Sequence, residues 1–129
     1  MLYDGRQVAN FVLDVCGDIE RPISNLSLQK IVYFCHVWSL IELHRPLIKH
    51  SFEAWEYGPV LPYLYREFKV FDSAPITSRA RSIDPISGSL RIVNYDFDSE
   101  TRALLEKVVS FYSQLRPSDL VRLSHAEGG

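Results

Sequence analysis

The sequence lacks long hydrophobic runs and carries no excess charge of either sign. Its longest apolar stretch, residues 31–43, is interrupted by His36, Ser39 and Glu42. It is therefore too short and too polar for a membrane span of about 20 residues. Lysine and arginine number 14 against 16 acidic residues, giving a net charge of −2. Phosphate backbones bind to clustered basic residues, so we expect no membrane partner and consider nucleic acid an unfavoured one.

The residue patterns that carry catalysis or bind cofactors are also missing. There is no Cys-x-x-Cys pair, no glycine-rich phosphate loop and no Gly-x-Ser-x-Gly elbow, and His36 and His44 do not have zinc-binding spacing. The two cysteines, Cys16 and Cys35, fit buried free thiols in a reducing compartment, with a disulfide or a reactive thiol as the alternatives. The first residues, MLYDGRQ, do not resemble a signal peptide. We therefore predict a cytoplasmic protein that is not an enzyme and has no metal or cofactor.

What the sequence does contain is enough apolar material for one helical domain. It has 129 residues, of which 47% are hydrophobic and 12% aromatic, so residues 1–129 predict a single domain with its own core. Capping residues and apolar spacing predict helices over residues 4–16, 27–44, 60–70, 98–115 and 118–123. Residues 76–83 and 90–95 alternate around a turn and predict one β-hairpin. The fold class is thus mainly α, a compact helical domain around a central apolar helix, with one β-hairpin.

The second predicted helix is central because apolar side chains cover most of its surface. Its exception is a narrow polar stripe that includes Gln29, Tyr33 and His36. Lys30 lies beyond this stripe, among apolar residues, so its ammonium must reach solvent or find a partner. One interpretation of Lys30 is an internal ion pair with Glu53 or Glu56, and the other is a contact with a binding partner.

An aromatic cluster follows the central helix and has two possible roles. Its members are Trp55, Tyr57, Tyr63, Tyr65 and Phe68. They could complete the core, or exposed tyrosine and tryptophan beside basic residues could anchor a protein interface. Both roles are compatible if Trp55 is buried and one or two tyrosines are exposed.

Basic residues gather in and around the predicted hairpin and leave a similar choice. They are Arg66, Lys69, Arg79, Arg81 and Arg91, offset by Glu67, Asp72 and Asp84. A solvated charged surface is one interpretation, and a small anion-binding or partner-binding face is the other.

In the fourth predicted helix, the apolar spacing predicts the face that packs on the core. Its residues are Leu104, Val108, Phe111, Tyr112 and Leu115.

Several of these motifs together resemble the Panacea domain, an antitoxin domain also described as SocA-like or GepA-like. The matching pieces are Leu28-Gln29-Lys30, Tyr33, Trp38, the run 52–60 (FEAWEYGPV), Pro62, Tyr65, Phe68 and the closing residues 120–125. The resemblance covers nearly the whole chain, although the hairpin region is matched only by position. It implies a type II antitoxin of a bacterium or phage, which binds and neutralises a protein toxin encoded nearby.

The resemblance also implies how such a protein would act and leaves alternatives open. Partner toxins in the family are unrelated to one another, so we expect steric, stoichiometric neutralisation by a general binding scaffold. Other roles to consider are an adaptor that delivers a toxin to the ClpXP protease, as in one branch of the family, and a transcriptional or nucleic-acid-binding regulator. A homodimer is compatible with all of these roles.

The predicted site follows from the motif residues and the polar stripe. The expected partner-binding residues are Gln29, Lys30, Tyr33, His36, Glu53, Tyr57 and Tyr65. Structural roles are expected for Trp38, Trp55, Gly58 and Pro59. The family commonly continues past its closing histidine into a short segment with a tryptophan, whereas this sequence ends at Gly129. We therefore expect either a shorter member or a chain without a C-terminal extension.

Overall fold

The computed structural model describes residues 2–126 and confirms a mainly helical fold with a minor β part. The predicted end of the chain, residues 127–129, lies outside the described residues. In chain order, the elements are α1 (Gly5–Asp18), α2 (Asn25–Trp38), β1 (Glu53–Trp55), β2 (Gly58–Val60), α3 (Pro62–Phe68), β3 (Arg81–Ile83), β4 (Leu90–Ile92), α4 (Ser99–Tyr112) and α5 (Pro117–Ala126).

Helix α2 is the centre of the molecule, as its apolar surface predicts. Helices α1, α3, α4 and α5 and strand β2 all pack against it. Its buried residues include Leu28, Ile31 and Phe34. The helix begins after Ser24, whose hydroxyl accepts a 3.3 Å hydrogen bond from the Ser27 amide. Of the two serines that could cap it, Ser24 therefore does so.

The central helix changes its winding before it ends. The α-helical part stops at Trp38 and continues as a π-helical turn, Ser39–Leu43. His44 then adopts a left-handed conformation with φ 56°, which terminates the helix at the residue predicted from the sequence. In this wider turn the Ser39 hydroxyl donates a 2.8 Å hydrogen bond to the Arg45 carbonyl. The chain therefore turns back towards the core immediately after the helix ends.

Two β-hairpins are present where the sequence predicted one. The predicted hairpin forms as β3 and β4, which pair antiparallel. The second hairpin joins β1 to β2, with Trp55 opposite Gly58, in a region where only a short extended piece and a turn were expected. Because residues 58–60 belong to strand β2, helix α3 begins at Pro62 and not at residue 60. Pro59 tolerates this position since its missing N–H falls on a non-hydrogen-bonded pair, with Ala54.

Helix α4 presents a slightly different face to the core than its apolar pattern predicts. Leu105, Val108, Val109 and Tyr112 are buried, whereas the ring of Phe111 is 55% exposed. The prediction for Phe111 is wrong because the helix is rotated so that Leu105 and Val109 fill the core. Phe111 is left at the edge of a surface cleft.

Three further observations concern the cysteines, metal binding and membrane-spanning helices. Cys16 and Cys35 are buried free cysteines, and burial raises the pKa of the Cys16 thiol to about 11. Within residues 2–126, no group of three or more histidine, cysteine or carboxylate side chains is arranged to hold a metal ion. No helix in the same part of the chain has the length and apolar character that crossing a membrane requires.

Candidate functional site

An open cleft of about 670 Å³ lies between the first turns of α2, the β1–β2 hairpin and α3. Three aromatic side chains, Trp55, Tyr57 and Tyr65, line it, together with Leu26 and Val60. Polar groups complete the lining, among them Gln29, Glu56, Lys69 and Asp72, and Pro117 of α5 also contributes to it. We call this the aromatic cleft. An apolar concavity with a few polar groups at its edge is typical of a binding site.

The aromatic side chains of the cleft are held in place but remain accessible. Trp55 meets Tyr65 edge to face, with ring centroids 5.3 Å apart. The indole N–H of Trp55 donates to the Glu53 carboxylate at 3.1 Å. Trp55 is 38% exposed and Tyr57 is 57% exposed. The expectation that Trp55 is buried is therefore wrong, because all three residues of strand β1 lie on the surface.

The floor of the cleft is a chain of hydrogen bonds between α2 and the segment after β2. The Leu61 amide donates to Gln29 Oε1 at 3.2 Å, and Gln29 Nε2 donates to Asn25 Oδ1 at 3.1 Å. Asn25 Nδ2 in turn donates to the Tyr65 carbonyl at 3.0 Å. Gln29 and Asn25 are both buried. Their side chains therefore fix α3 and Tyr65 against α2 and do not project towards a partner.

Lys30 is also buried, and its partner is a backbone carbonyl. Its ammonium donates a 2.8 Å hydrogen bond to the carbonyl oxygen of Pro59. Burial lowers the pKa of Lys30 from 10.5 to about 8. Lys30 thus joins the turn to the central helix through this carbonyl, and the ion pair with Glu53 or Glu56 that was one of its two interpretations does not form within residues 2–126.

The turn of the β1–β2 hairpin touches the last helix as well. Gly58 has φ +103°, a conformation that L-residues rarely adopt, and a Cβ there would lie 2.6 Å from the hydroxyl oxygen of Ser124. The same Cβ would lie 3.2 Å from Lys30 Nζ. Gly58 is therefore required both by its backbone angle and by the close approach of α5.

Tyr33 and His36 lie away from the aromatic cleft, around Phe52. Their rings are 5.4 and 5.5 Å from the Phe52 ring, between centroids. His36 Nδ1 accepts hydrogen bonds from the Leu47 and Ile48 amides, at 3.3 and 3.2 Å. Burial lowers the pKa of His36 from its usual 6.5, which agrees with an unprotonated acceptor nitrogen. These two members of the polar stripe anchor the chain that returns from the end of α2.

The other tryptophan of the motif, Trp38, lies beside a second cleft of about 460 Å³. Its indole N–H donates to the Tyr112 hydroxyl at 2.9 Å, which ties α2 to α4. Phe111, Leu104 and the π-helical residue Glu42 also line this cleft. Trp38 is half-buried and bridges two helices.

Sequence reasoning missed Asn25 and Pro117 as parts of the site. Asn25 and Gln29 are four residues apart, so they are neighbours on one helix face. Two amides at this spacing in an otherwise apolar helix are a signal that could have identified the buried network. Pro117 follows Arg116 far along the chain, and its place in the cleft depends on the packing of α5, which no local pattern encodes.

Comparison with known proteins identifies the family. The family model described as antitoxin SocA-like, Panacea domain, matches residues 28–129. This chain belongs to that family. It is also 41% identical over 126 residues to Antitoxin SocA from Caulobacter vibrioides (strain NA1000 / CB15N), covering 98% of this chain and 67% of that protein. No solved structure matches this chain significantly.

The family match includes most residues of the cleft, although Asn25 and Leu26 lie just before it. Gln29, Lys30, Trp55, Gly58 and Pro59 all lie within the matched residues. The alignment with the Caulobacter protein spans nearly the whole chain, including α1 and the β3–β4 hairpin. The resemblance suggested by the sequence motifs is therefore confirmed.

Proposed function

We propose that this protein is the antitoxin of a type II toxin–antitoxin system and neutralises its toxin by direct binding. Membership of the antitoxin SocA-like family supports the antitoxin role. The single structural observation in favour of direct binding is the aromatic cleft, where Trp55 and Tyr57 are exposed although large aromatic side chains are usually buried. The protein needs no catalytic group for this role, and we place it in the cytoplasm with its toxin.

The cleft supports a steric mechanism with one antitoxin for each toxin. Tyrosine and tryptophan are the commonest anchors of protein interfaces, because they bury a large area with few rotatable bonds. A protein interface of ordinary size buries about 1,600 Å² in total. An interface of that size, centred on the cleft and extending over β1, would cover an active site on the toxin.

The exposure and burial of the predicted residues support a division between direct and indirect roles in toxin binding. We assign direct contact to Glu53, Tyr57 and Tyr65, and add Trp55 to them. Gln29 and Lys30 act beneath this surface, since both are buried and hold β2 and α3 in place. The contribution of Tyr33 and His36 would be indirect, through Phe52 and the chain that leads to β1.

A growth experiment tests the proposal. The open reading frame beside this gene is expressed alone and together with this protein, and colony formation is scored. Restored growth on co-expression, with one-to-one co-purification of the two proteins, is the expected result. A co-expressed pair that restores growth without forming a complex would reject direct binding. If the neighbouring product is harmless, or if its toxicity persists, the antitoxin role with this partner is wrong.

Indirect neutralisation would give a separate result in the same experiment. If growth is restored because the toxin is degraded, its level falls on co-expression and recovers in a strain without ClpX. A stable toxin level in both strains, with restored growth, supports stoichiometric blocking. A gel-shift with the upstream DNA at physiological salt distinguishes a DNA-binding regulator, which the net charge of −2 disfavours.

A further inference from the structure

The β3–β4 hairpin carries its apolar side chains on the outward face. Its register pairs Ile83 with Leu90 and Arg81 with Ile92, and side chains of paired residues and of alternate residues share a face. These four residues therefore form one surface, which we call the hairpin face. Ile83, Leu90 and Ile92 are 57–67% exposed. Branched apolar residues gathered on a solvent-facing sheet surface are typical of an interaction site.

The opposite face of the hairpin is attached to the body of the protein. The side chain of Asn10, in α1, donates to the carbonyl oxygens of Ala80 and Val93 at 3.0 and 2.9 Å. Its Oδ1 accepts from the Ala80 amide at 2.8 Å, and Asn10 and Ala80 are both buried. The hairpin is thus held in a fixed orientation, with the hairpin face pointing away from α1.

The two edges of the hairpin differ in their hydrogen bonding. On the outer edge of β3, the Arg81 amide donates to the Glu67 carboxylate at 3.1 Å, and the Arg81 carbonyl accepts from Arg6 at 3.4 Å. Side chains from α3 and α1 therefore cover part of this edge. Covering an edge in this way prevents further strands from pairing there.

The outer edge of β4 is open. Backbone hydrogen bonds join Asp84 to Ser89 and Val93 to Ala80, so the alternation of an antiparallel ladder turns the N–H and C=O groups of Leu90 and Ile92 away from β3. Within residues 2–126 these four groups have no hydrogen-bond partner. An exposed strand edge beside an apolar face is suited to accept an extended segment as an additional strand.

One charge on the hairpin face is left without a partner. Arg91, on the opposite face, pairs with Asp84 at 3.1 Å. The guanidinium of Arg81 makes neither an ion pair nor a side-chain hydrogen bond with the part of the chain that the structure describes. A carboxylate on the incoming segment would complement Arg81, since paired charges on neighbouring strands stabilise a sheet.

We propose that β4 accepts an extended segment of the toxin as a third strand. The segment would place branched apolar side chains against Leu90 and Ile92 and a carboxylate near Arg81. This inference rests on the proposed antitoxin function and adds a second contact to the aromatic cleft, with which the hairpin face shares no residue. Main-chain pairing depends little on sequence, so this contact would suit toxins of unrelated sequence.

A second copy of this chain is a poorer occupant of the same edge. The two-fold antiparallel arrangement that pairs Leu90 with Ile92 would set Arg91 directly opposite Arg91 of the other copy, and like charges there destabilise a sheet. The hairpin face has only three branched apolar side chains, whereas each partner of a stable complex buries about 800 Å². A toxin that also occupies the aromatic cleft would add a second contact area, which a second copy bound only at β4 would not.

The test compares two substitutions at the same position, Ile92→Pro and Ile92→Ala. The Ile92 N–H points away from β3, so proline leaves the β3–β4 ladder intact while blocking an incoming strand. Alanine removes the same apolar surface but keeps the N–H. With the product of the adjacent open reading frame as the probe, we expect Ile92→Pro to weaken binding at least about tenfold more than Ile92→Ala.

A second measurement does not depend on how well the variants fold. Amide hydrogen exchange of the wild-type protein, alone and with the same probe, should show slower exchange at Leu90 and Ile92 in the complex. Arg81→Glu should weaken binding by about tenfold, and Arg91→Glu, on the opposite face, should change it less. Thermal melting checks that each variant is folded.

The outcomes separate the two proposals. If the wild-type protein binds the toxin and restores growth, but Ile92→Pro binds as well as Ile92→Ala and both amides exchange at unchanged rates, the third-strand proposal is wrong and the antitoxin proposal stands. If the wild-type protein neither binds the probe nor restores growth, both are wrong. A complex in which β4 pairs with β4 of a second copy would overturn the choice of occupant.

Discussion

The ammonium of Lys30 donates a 2.8 Å hydrogen bond to the carbonyl oxygen of Pro59, in the interior of the protein. This bond joins the central helix to the strand that follows the exposed Tyr57 turn. Since the Gly58 backbone passes immediately beside the same ammonium, Lys30 determines where the β1–β2 hairpin sits. The position of the aromatic cleft therefore depends on a buried cation.

Replacing Lys30 by alanine should destabilise the fold. The substitution leaves a cavity and removes the hydrogen bond to the Pro59 carbonyl, which together cost about 2–4 kcal/mol of unfolding free energy. Urea unfolding followed by circular dichroism measures this change. Wild-type stability combined with lost neutralisation would instead make Lys30 a direct contact of the toxin.

The lowered pKa of Lys30 also predicts a pH dependence. The pKa of Lys30 is about 8 in the folded protein and 10.5 in the unfolded chain. Between these two pH values the unfolded chain binds more protons at Lys30 than the folded protein does. The unfolding free energy therefore increases with pH in this range, by up to about 1.4 kcal/mol per pH unit. Buried Cys16, whose pKa is raised, acts in the opposite direction. The quantity to measure is therefore the unfolding free energy of wild type minus that of Lys30→Met.

This difference should increase from pH 8 to pH 9.5, because Lys30→Met removes the lysine and leaves every other titrating group in place. A constant difference over that range would show that Lys30 is solvated in the folded protein. The experiment thus tests the burial of the ammonium independently of any toxin.

Gly58→Ala should destabilise the protein more than Gly88→Ala. Both glycines have positive φ, +103° and +74°, but only a Cβ at Gly58 meets neighbouring atoms, the nearest being Ser124 Oγ. We expect a loss of about 2–4 kcal/mol at Gly58 against about 1 kcal/mol at Gly88. Thermal melting of the two variants gives the comparison. Equal losses would mean that α5 does not approach the turn as closely as the structure shows.

Acid should weaken the anchoring of the chain by His36. Burial lowers the pKa of His36, so the unfolded chain takes up its proton first and stability falls as pH drops below about 6.5. The substitution His36→Asn keeps an acceptor for the Leu47 and Ile48 amides but does not titrate. Unfolding free energies at pH 7 and pH 5.5 should differ less in His36→Asn than in wild type; an equal fall would assign the effect to other groups.

Tyr57→Ala should reduce toxin affinity without affecting stability. The Tyr57 side chain is more than half exposed and lines the aromatic cleft, and interface tyrosines often contribute about 2 kcal/mol, or roughly thirtyfold in affinity. Phe111→Ala is a matched control, since Phe111 is exposed to a similar degree beside the second cleft. Calorimetric titration with the toxin measures both. A loss confined to Phe111→Ala would move the interface to the second cleft.

The course of the central helix and the need of Lys30 for a partner could be predicted from sequence, because both follow from local spacing and burial. The identity of that partner could not, since the Pro59 carbonyl reaches Lys30 only through the pairing of β1 with β2. The exposure of Phe111 could not be predicted from sequence either. A helix with apolar residues over a wide arc can rotate by a fraction of a turn, and tertiary packing decides which of them face the core.

The predicted site residues also differ in how far local sequence determines their position. Glu53 lies in the surface strand β1 and Tyr57 in the turn after it. The local course of the chain is enough to expose both residues. Gln29 looked like part of an exposed polar stripe, yet it is buried because Asn25 and the Leu61 amide satisfy its side chain. This network combines donors and acceptors of α2 with the Leu61 amide and a carbonyl of α3, and only the tertiary fold brings them together.

The packing of Ser124 against Gly58 has a consequence for synthesis of the protein. Residues 24–73 supply nearly all of the aromatic cleft, but Pro117 also lines it, and Ser124 of α5 lies directly against the Gly58 turn. A ribosome must therefore release α5 before the cleft takes its final shape. A nascent chain that already contains every aromatic side chain of the cleft therefore still lacks the part of its lining and packing that α5 supplies.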